Sequence, residues 1–220
     1  QKTRSSLTEK PKSQSCGFAA LDIMFFIKKI EDQSILPPFL DKLKSLFSAM
    51  DKKYSEAENF YNFKCTGCTD NCCFTRFYHH TFLEYFFILQ GFSSLEDSFR
   101  AKIAKKASED CAKRKDADSK SEKIRLLCPL NIDGLCILYD YRPMICRLHG
   151  IPHELNMPGT GVTYGSGCNF FDNKCKQKEY FKFDRTPFYI QMARLENEFK
   201  QAADINGKFK MTIAQIITDF

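Results

Sequence analysis

The chain has 220 residues, of which 43% are hydrophobic and 27% charged, with 22 Phe, 11 Cys and a formal net charge of +6. This length allows a single domain with a substantial core, and the longest apolar stretches fall short of the roughly 18 residues that a spanning helix needs. Lysine and arginine are scattered among acidic residues, so the positive charge does not indicate a nucleic-acid-binding surface.

The first part of the chain predicts a tail followed by helices. Residues 1–15 are polar and aperiodic, which indicates a loose tail, and a short helix is expected over residues 18–31. Pro37 and Pro38 suit the first turn of the next helix. Apolar residues then recur at helical spacing from Phe39 to Ala57, which predicts the clearest amphipathic helix of the chain.

Two more helices are predicted in the middle of the chain. Residues 81–90 carry apolar side chains around nearly the whole helical circumference, so this helix is expected to be buried, with Gly91 as its end. Another helix is expected to begin at Ser94, Glu96 and Asp97 and to continue with breaks to about Leu127.

The last third combines an irregular stretch with a long helix. Residues 128–175 hold four of the eight prolines and six of the ten glycines, which predicts a loop. Thr186 and Pro187 are expected to open the last long helix, and residues 211–220 form a short amphipathic segment. The expected fold is mainly α: a helical bundle-like scaffold with an irregular cysteine-rich loop layer that holds the metal centre. We expect one domain over residues 16–220, with its cysteine-cluster core at 63–175.

The first cysteine group occupies nine consecutive residues. Cys65 and Cys68 are separated by two residues, a spacing that can place two thiolates on one metal. Cys72 and Cys73 are adjacent and project in different directions, so this pair is expected to serve two metals, or two edges of one centre. A strained disulfide between them is the alternative.

Four further cysteines in the irregular stretch complete the predicted set of metal ligands, which is enough for two four-cysteine clusters. The set is Cys65, Cys68, Cys72, Cys73, Cys128, Cys136, Cys146 and Cys168. Cys16 and Cys111 are interpreted as small buried hydrophobic residues, and Cys175 is left undecided. The odd total and the long helical remainder disfavour a secreted disulfide scaffold and favour a reducing, cytoplasmic compartment.

The spacing of the later cysteines bears on the metal. Zinc sites often use two paired knuckles, whereas here only Cys65 and Cys68 form such a pair. Iron–sulfur clusters accept scattered single cysteines, because their corners are several ångströms apart. The sequence therefore favours iron–sulfur clusters of the 4Fe–4S type, with zinc as the alternative. Ionisation of eight cysteines would also change the charge of +6 to about −2 before any metal is counted.

Basic residues beside the cysteines are candidates for tuning such a centre. Arg76, Arg142, Arg147 and His149 are expected to neutralise cluster charge or to donate hydrogen bonds to cluster sulfur. The alternative for the arginines is ordinary ion pairing with Asp70, Asp140 or Glu84, and the sequence does not separate the two interpretations.

The cysteine motifs resemble a known family. The run Cys65-Thr-Gly-Cys68-Thr-Asp-Asn-Cys72-Cys73, followed by Cys128-Pro-Leu, Cys136-Ile-Leu-Tyr and Arg142-Pro-x-x-Cys146-Arg147, is similar to the YkgJ-like cysteine-cluster family over residues 63–168. The resemblance implies a zinc- or iron-chelating domain. A flagellin lysine methylase carries a similar cluster, so the resemblance also leaves an attached enzyme activity open.

Three functions are therefore in competition. The leading hypothesis is an iron–sulfur redox or electron-transfer component with a protein redox partner, no nucleic-acid partner and no membrane span. The second is a zinc-stabilised accessory or interaction protein. The third is an iron–sulfur-dependent enzyme related to protein lysine methylases, with a substrate pocket among Phe77, Tyr78, Phe82 and Tyr85.

Overall fold

The structure, a computed structural model, describes residues 34–65, 72–157, 159, 161–175 and 177–220, and it is mainly helical. The predicted tail over 1–15, the predicted helix over 18–31, and Cys16 and Cys68 lie outside these residues. The helices that follow are α1 (Leu36–Tyr61), α2 (Phe82–Ser93), α3 (Asp97–Ser119), α4 (Met144–Leu148), α5 (Asn169–Cys175), α6 (Thr186–Ala202) and α7 (Ile213–Thr218).

The long helix α1 forms as its apolar spacing predicts. Pro37 and Pro38 occupy its first turn, and Leu43 and Met50 on its inner face are fully buried. The helix ends at Asn62, whose backbone is left-handed with a φ of 44°. Helix α1 packs against α6 and α4 and so lies beside the cysteine-bearing segment.

Helix α2 confirms the predicted buried helix but not its predicted end. The Thr81 hydroxyl caps it by accepting a hydrogen bond from the Glu84 amide at 3.2 Å. The helix continues through Gly91 to Ser93, so the prediction that Gly91 ends it was wrong. A Cβ atom at Gly91 would lie 2.4 Å from Cγ of Tyr141, so the glycine makes room for this ring.

Helix α3 ends earlier than the sequence suggested. It is continuous to Ser119 and does not extend to Leu127. Ser121 adopts a left-handed φ of 56°, and the Glu122 amide donates to the Ala117 carbonyl at 2.8 Å. This closure ends the helix without a glycine. Helix α3 then packs along α7, the short amphipathic helix near the end of the chain.

The cysteine-rich stretch contains more regular structure than the predicted loop. Two antiparallel hairpins lie here, β1 (Asn131–Ile132) with β2 (Leu135–Cys136), and β3 (His153–Met157) with β4 (Gly161–Gly165). The prediction of an irregular loop was therefore wrong in part, because many of its glycines and prolines mark turns between very short elements. Helix α6 begins at Thr186 as predicted.

No helix in the described part of the chain is long and apolar enough to cross a membrane. The core joins buried residues of α1, α2, α6 and α7, among them Phe47, Phe87 and Phe199. Leu130, Leu138 and Leu148 extend this core under the cysteine-bearing segment, so the site lies directly against the helical scaffold.

Candidate metal centre

The candidate site is a cavity of about 400 Å³ between α1, α3 and the cysteine-bearing segment. The structure brings seven of the eight predicted ligand cysteines to its wall, and the eighth, Cys68, lies outside the described residues. The seven are Cys65, Cys72, Cys73, Cys128, Cys136, Cys146 and Cys168. Cys65 is exposed and the other six are half-buried.

The first hairpin positions two of these thiols in the same way. Strands β1 and β2 pair Asn131 with Cys136, and Asp133 and Gly134, which both have a positive φ, form the turn between them. The thiol of Cys128 accepts a hydrogen bond from the Leu130 amide, and that of Cys136 accepts one from the Leu138 amide. Both leucines are buried, so each anchors a cysteine two residues earlier in the chain.

Cys73 and Cys146 join the hairpin from two other segments. The Cys128 amide donates to the Cys73 carbonyl at 2.9 Å, which fixes the short 3₁₀ turn Cys72–Phe74 against the hairpin. Cys146 lies on α4. The buried carboxylate of Glu84 holds the start of that helix, because it accepts a hydrogen bond from the Met144 amide at 2.8 Å.

Cys65 and Cys168 lie on the side of the cavity next to Tyr54 of α1. The Tyr54 hydroxyl donates to the His149 carbonyl at 2.9 Å, and the Cys168 amide donates to the Gly150 carbonyl at 3.0 Å. Gly150 has a positive φ of 106°, and a Cβ atom there would lie 3.2 Å from the Tyr54 hydroxyl and 3.8 Å from the Cys168 sulfur. The Phe171 amide also donates to that sulfur at 3.4 Å.

Burial opposes ionisation of most of the thiols in the cavity. It is the main cause that raises the pKa of Cys128, Cys136 and Cys146 above the ordinary value of a thiol. Cys73 is different, because the hydrogen bond that it shares with Cys72 lowers its pKa below that of an ordinary thiol, while the pKa of Cys72 rises. A cation in the cavity would favour the thiolate form of all of them.

The thiols are distributed around the cavity. Among the described residues, no three side chains of His, Cys, Asp or Glu converge so closely that they could hold a metal ion. None of the nine described cysteines forms a disulfide, and the adjacent Cys72 and Cys73 are linked by a hydrogen bond. The predicted ligand set therefore shares one cavity but is not drawn together around a single point.

Of the three arginines predicted to lie beside the centre, two are engaged in ion pairs. Arg147 is 6% exposed and donates to Asp51 at 2.5 Å. Arg76 binds Asp118 through two hydrogen bonds of 2.7 and 2.8 Å. The carboxylates in these two ion pairs, Asp51 and Asp118, are not among the predicted partners Asp70, Asp140 and Glu84. Asp70 lies outside the described residues.

Arg142 acts electrostatically on two of the thiols, and His149 lines the same cavity. The charge of Arg142 helps to lower the pKa of both Cys73 and Cys136. Its guanidinium group stacks on the Tyr139 ring with 3.5 Å between guanidinium carbon and ring centroid. The His149 ring contacts the Phe77 ring with the centroids 5.3 Å apart, and both residues line the cavity.

Sequence reasoning missed three residues that shape this site. Asn131 and Lys106 both help to lower the pKa of Cys73, and Lys106 has the same effect on Cys128. The charges of Cys65 and Cys168 act on the Tyr54 hydroxyl. Asn131 follows Cys128 by three residues and could have been suspected on that ground. Lys106 and Tyr54 lie on helices with no local signal of a site.

Two cysteines lie away from the cavity wall. The buried Cys111 thiol is 4.0 Å from the Thr218 hydroxyl, between α3 and α7. Cys175 is also buried, and its thiol donates to the Tyr61 carbonyl at 3.7 Å. Of the aromatic residues suggested for a substrate pocket, Phe77 lines the cysteine cavity, whereas Phe82 and Tyr85 pack against Phe209 in the core.

The sequence also gave no indication that the His79 side chain is buried at this site. Its side chain is 2% exposed, and neither ring nitrogen has a hydrogen-bond partner in the described structure. Burial lowers its pKa to about 4, so the ring is neutral at physiological pH. His79 lines the cysteine cavity and a neighbouring cavity of about 650 Å³ that also contacts Glu84 and Glu196.

Comparisons with known proteins add no assignment. No protein-family description matches the chain, and no curated protein or solved structure is similar to it.

Proposed function

We propose that the chain binds iron–sulfur clusters through the cysteines of this cavity and acts as a redox or electron-transfer protein. The observation that carries the proposal is the meeting of seven thiols, from segments as far apart as Cys65 and Cys168, at the wall of one cavity. Buried free thiols scattered as packing residues would have no reason to share a wall. Cys111 and Cys175, which do pack in that way, lie elsewhere.

The size and form of the cavity favour a polynuclear centre over a single zinc ion. A volume of about 400 Å³ is in the range of a small-molecule pocket and exceeds what one ion fills. Thiols spread around such a cavity suit a cluster that supplies its own bridging sulfide and has corners several ångströms apart. A zinc site would require four of them to converge within about 2.3 Å of one point.

The residues around the thiols suit the charge of such a centre. Four thiolates bring four negative charges, and the cations of Lys106 and Arg142 act on the same thiols. The amides of Leu130 and Leu138 donate to sulfur, which favours the ionised form. An iron–sulfur centre here would accept one electron from a reduced protein partner and pass it on. Free thiols in this number suit a reducing compartment such as the cytoplasm.

Purification without air tests the proposal directly. We expect a brown protein with broad absorption at about 400 nm that bleaches with dithionite, together with iron and acid-labile sulfide. Cys146→Ser should lose iron and stability, whereas Cys111→Ser, which changes a cysteine away from the cavity, should retain the iron content of the wild type. A colourless protein with stoichiometric zinc would contradict the iron–sulfur proposal and support the zinc-stabilised alternative.

The enzyme hypothesis has its own measurement. A methyl-transfer enzyme must bind a methyl donor, and S-adenosylmethionine is the donor that a relation to lysine methylases would imply. Calorimetric titration of the iron-loaded protein with this compound should show no binding if the chain is only an electron carrier. Saturable binding would instead support the enzyme hypothesis.

A further inference from the structure

We propose that the neighbouring cavity beside His79 binds a small organic amine, and that the buried carboxylates of Glu84 and Glu196 hold its ammonium group. This cavity, here called the His79 cavity, has a volume of about 650 Å³, which is in the usual range of small-molecule sites. No described cysteine lines it, so the inference goes beyond the proposed function.

Two buried carboxylates line this cavity. Glu84 on α2 is 4% exposed and Glu196 on α6 is 7% exposed. Neither forms an ion pair with any residue that the structure describes. Lys200 lines the cavity as well and its charge acts on Glu196, but its amino group donates to the Gly207 carbonyl at 2.5 Å. Because buried carboxylates are normally paired with a cation, this wall is suited to a positively charged ligand.

The hydrogen bonds of the two carboxylates leave acceptor positions available. Glu196 accepts from the first two amides of α2 at 2.9 and 3.2 Å, one on each oxygen. Glu84 accepts from the Thr81 hydroxyl at 2.7 Å and from the Met144 amide at 2.8 Å, again one on each oxygen. A carboxylate oxygen can accept two hydrogen bonds, so each of the four can accept one more. The bonds already present fix both side chains, so the site is formed before a ligand arrives.

His79 is an independent indication of a ligand at this position. Its side chain is 2% exposed, and both ring nitrogens lack a hydrogen-bond partner in the described structure. Its backbone is held by Met211, since the His79 amide donates to the Met211 carbonyl at 2.7 Å and the Met211 amide donates back at 3.0 Å. The ring therefore stays at the cavity wall. A neutral imidazole has one donor and one acceptor nitrogen, and a ligand that donates to the acceptor removes part of the cost of burying it.

The form of the cavity selects an organic cation rather than a metal ion. In the part of the chain that the structure describes, no three side chains of His, Cys, Asp or Glu lie close enough together to hold a metal ion. The wall also includes the buried apolar side chains of Met192 and Phe209. An alkyl or aromatic body attached to the ammonium group can pack against these side chains. Ala193 and Asn197 lie at the exposed edge of the cavity, which leaves a way in.

Three probes of similar shape test the class of ligand. Hexylamine carries an ammonium group at neutral pH, 1-hexanol is uncharged, and hexanoate carries a carboxylate. In calorimetric titrations of the full-length protein we expect saturable binding of hexylamine at one site, binding of 1-hexanol weaker by at least about tenfold, and no binding of hexanoate. Equal affinities of hexylamine and 1-hexanol, a preference for hexanoate, or no saturable binding of any probe would overturn the proposal.

Variants assign the binding to this cavity. Glu196→Gln should weaken hexylamine binding on the order of tenfold, because it removes a charged acceptor. Glu198→Gln is the matched control, since Glu198 is exposed on the same helix and does not line the cavity, and it should bind as the wild type does. His79→Leu should weaken binding while leaving the melting temperature of the ligand-free protein unchanged or higher. A lower melting temperature with unchanged binding would show that the ring only fills space.

Ala193→Phe keeps the test decisive if Glu196→Gln fails to fold, because Glu196 also caps α2. Ala193 lines the cavity from an exposed position of α6, so a phenylalanine there should close the entrance without disturbing the core. We expect this variant to keep its helical circular dichroism and to lose hexylamine binding. Unchanged binding would place the amine elsewhere and overturn the proposal. Its iron content should equal that of the wild type, so this inference and the proposed function fail independently.

Discussion

Replacing Arg147 with lysine should destabilise the protein strongly although it keeps the charge. The arginine side chain is 6% exposed and uses three nitrogens on three acceptors. Nη1 donates to Asp51 at 2.5 Å, Nε donates to the Arg142 carbonyl at 2.7 Å, and Nη2 donates to the Asp140 carbonyl. Its guanidinium carbon also lies 4.4 Å from the centroid of the Phe47 ring.

The magnitude follows from the acceptors that lysine cannot reach. Lysine offers one nitrogen, so about two of the three hydrogen bonds are lost, and bonds to charged groups contribute about 1.5–3 kcal/mol each. Asp51 is 44% exposed and remains hydrated, which reduces its share of the cost. We therefore expect the free energy of unfolding to fall by about 3 kcal/mol, equivalent to roughly 10 °C in melting temperature for a chain of this size.

Urea unfolding followed by far-ultraviolet circular dichroism measures this change, with the iron content determined in parallel. Arg76→Lys is the matched control, because Arg76 pairs with Asp118 on the surface and its replacement should hardly move the midpoint. A variant Arg147→Lys with wild-type stability but a shifted reduction potential would refute the reasoning. It would show instead that this arginine acts on the metal centre.

Two further predictions concern the scaffold. Leu43→Ala removes a fully buried side chain from α1 and should lower the free energy of unfolding in urea by about 2–5 kcal/mol. The control Lys44→Ala changes an exposed neighbour and should lower it little. Equal effects of the two substitutions would contradict the packing of α1 described above. Burial raises the pKa of Asp219 to about 6. Its contribution to stability is therefore present below its unfolded pKa, near pH 3.8, and is lost as the pH rises through 6. Relative to the wild type, Asp219→Asn should gain stability between pH 4 and pH 7, and parallel pH profiles would count against this.

The elements that the sequence predicts well are those whose own residues decide them. Helices α1 and α6 carry long apolar stripes at helical spacing and begin at prolines, so local pattern and burial agree. The end of α2 could not be read in the same way. Gly91 looks like a helix terminator, but its role is to admit the ring of Tyr141, a residue far along the chain. Strands as short as β1 and β2 carry too few residues for a periodic pattern.

In the candidate site, too, local sequence predicts some features, and contacts between distant residues decide the others. Cysteine spacing was sufficient to select the seven cavity cysteines and to set Cys111 apart. It could not show how they are brought together, because that depends on contacts between distant segments, such as the hydrogen bond from the Cys128 amide to the Cys73 carbonyl. It also could not decide the role of Arg147, since its acceptor Asp51 belongs to a helix that ends before the first cysteine.

Helix α1 supplies no cysteine to the cavity, yet it positions both sides of it. Asp51 binds Arg147, the neighbour of Cys146 on α4. One turn further on, Tyr54 binds the His149 carbonyl, next to the Gly150 carbonyl that accepts from the Cys168 amide. These contacts are made by the helix face next to the buried Leu43 and Met50, so packing of the core also fixes the thiols. The proposed metal binding would therefore be coupled to folding through α1, because any change that shifts this helix moves Cys146 and Cys168 together.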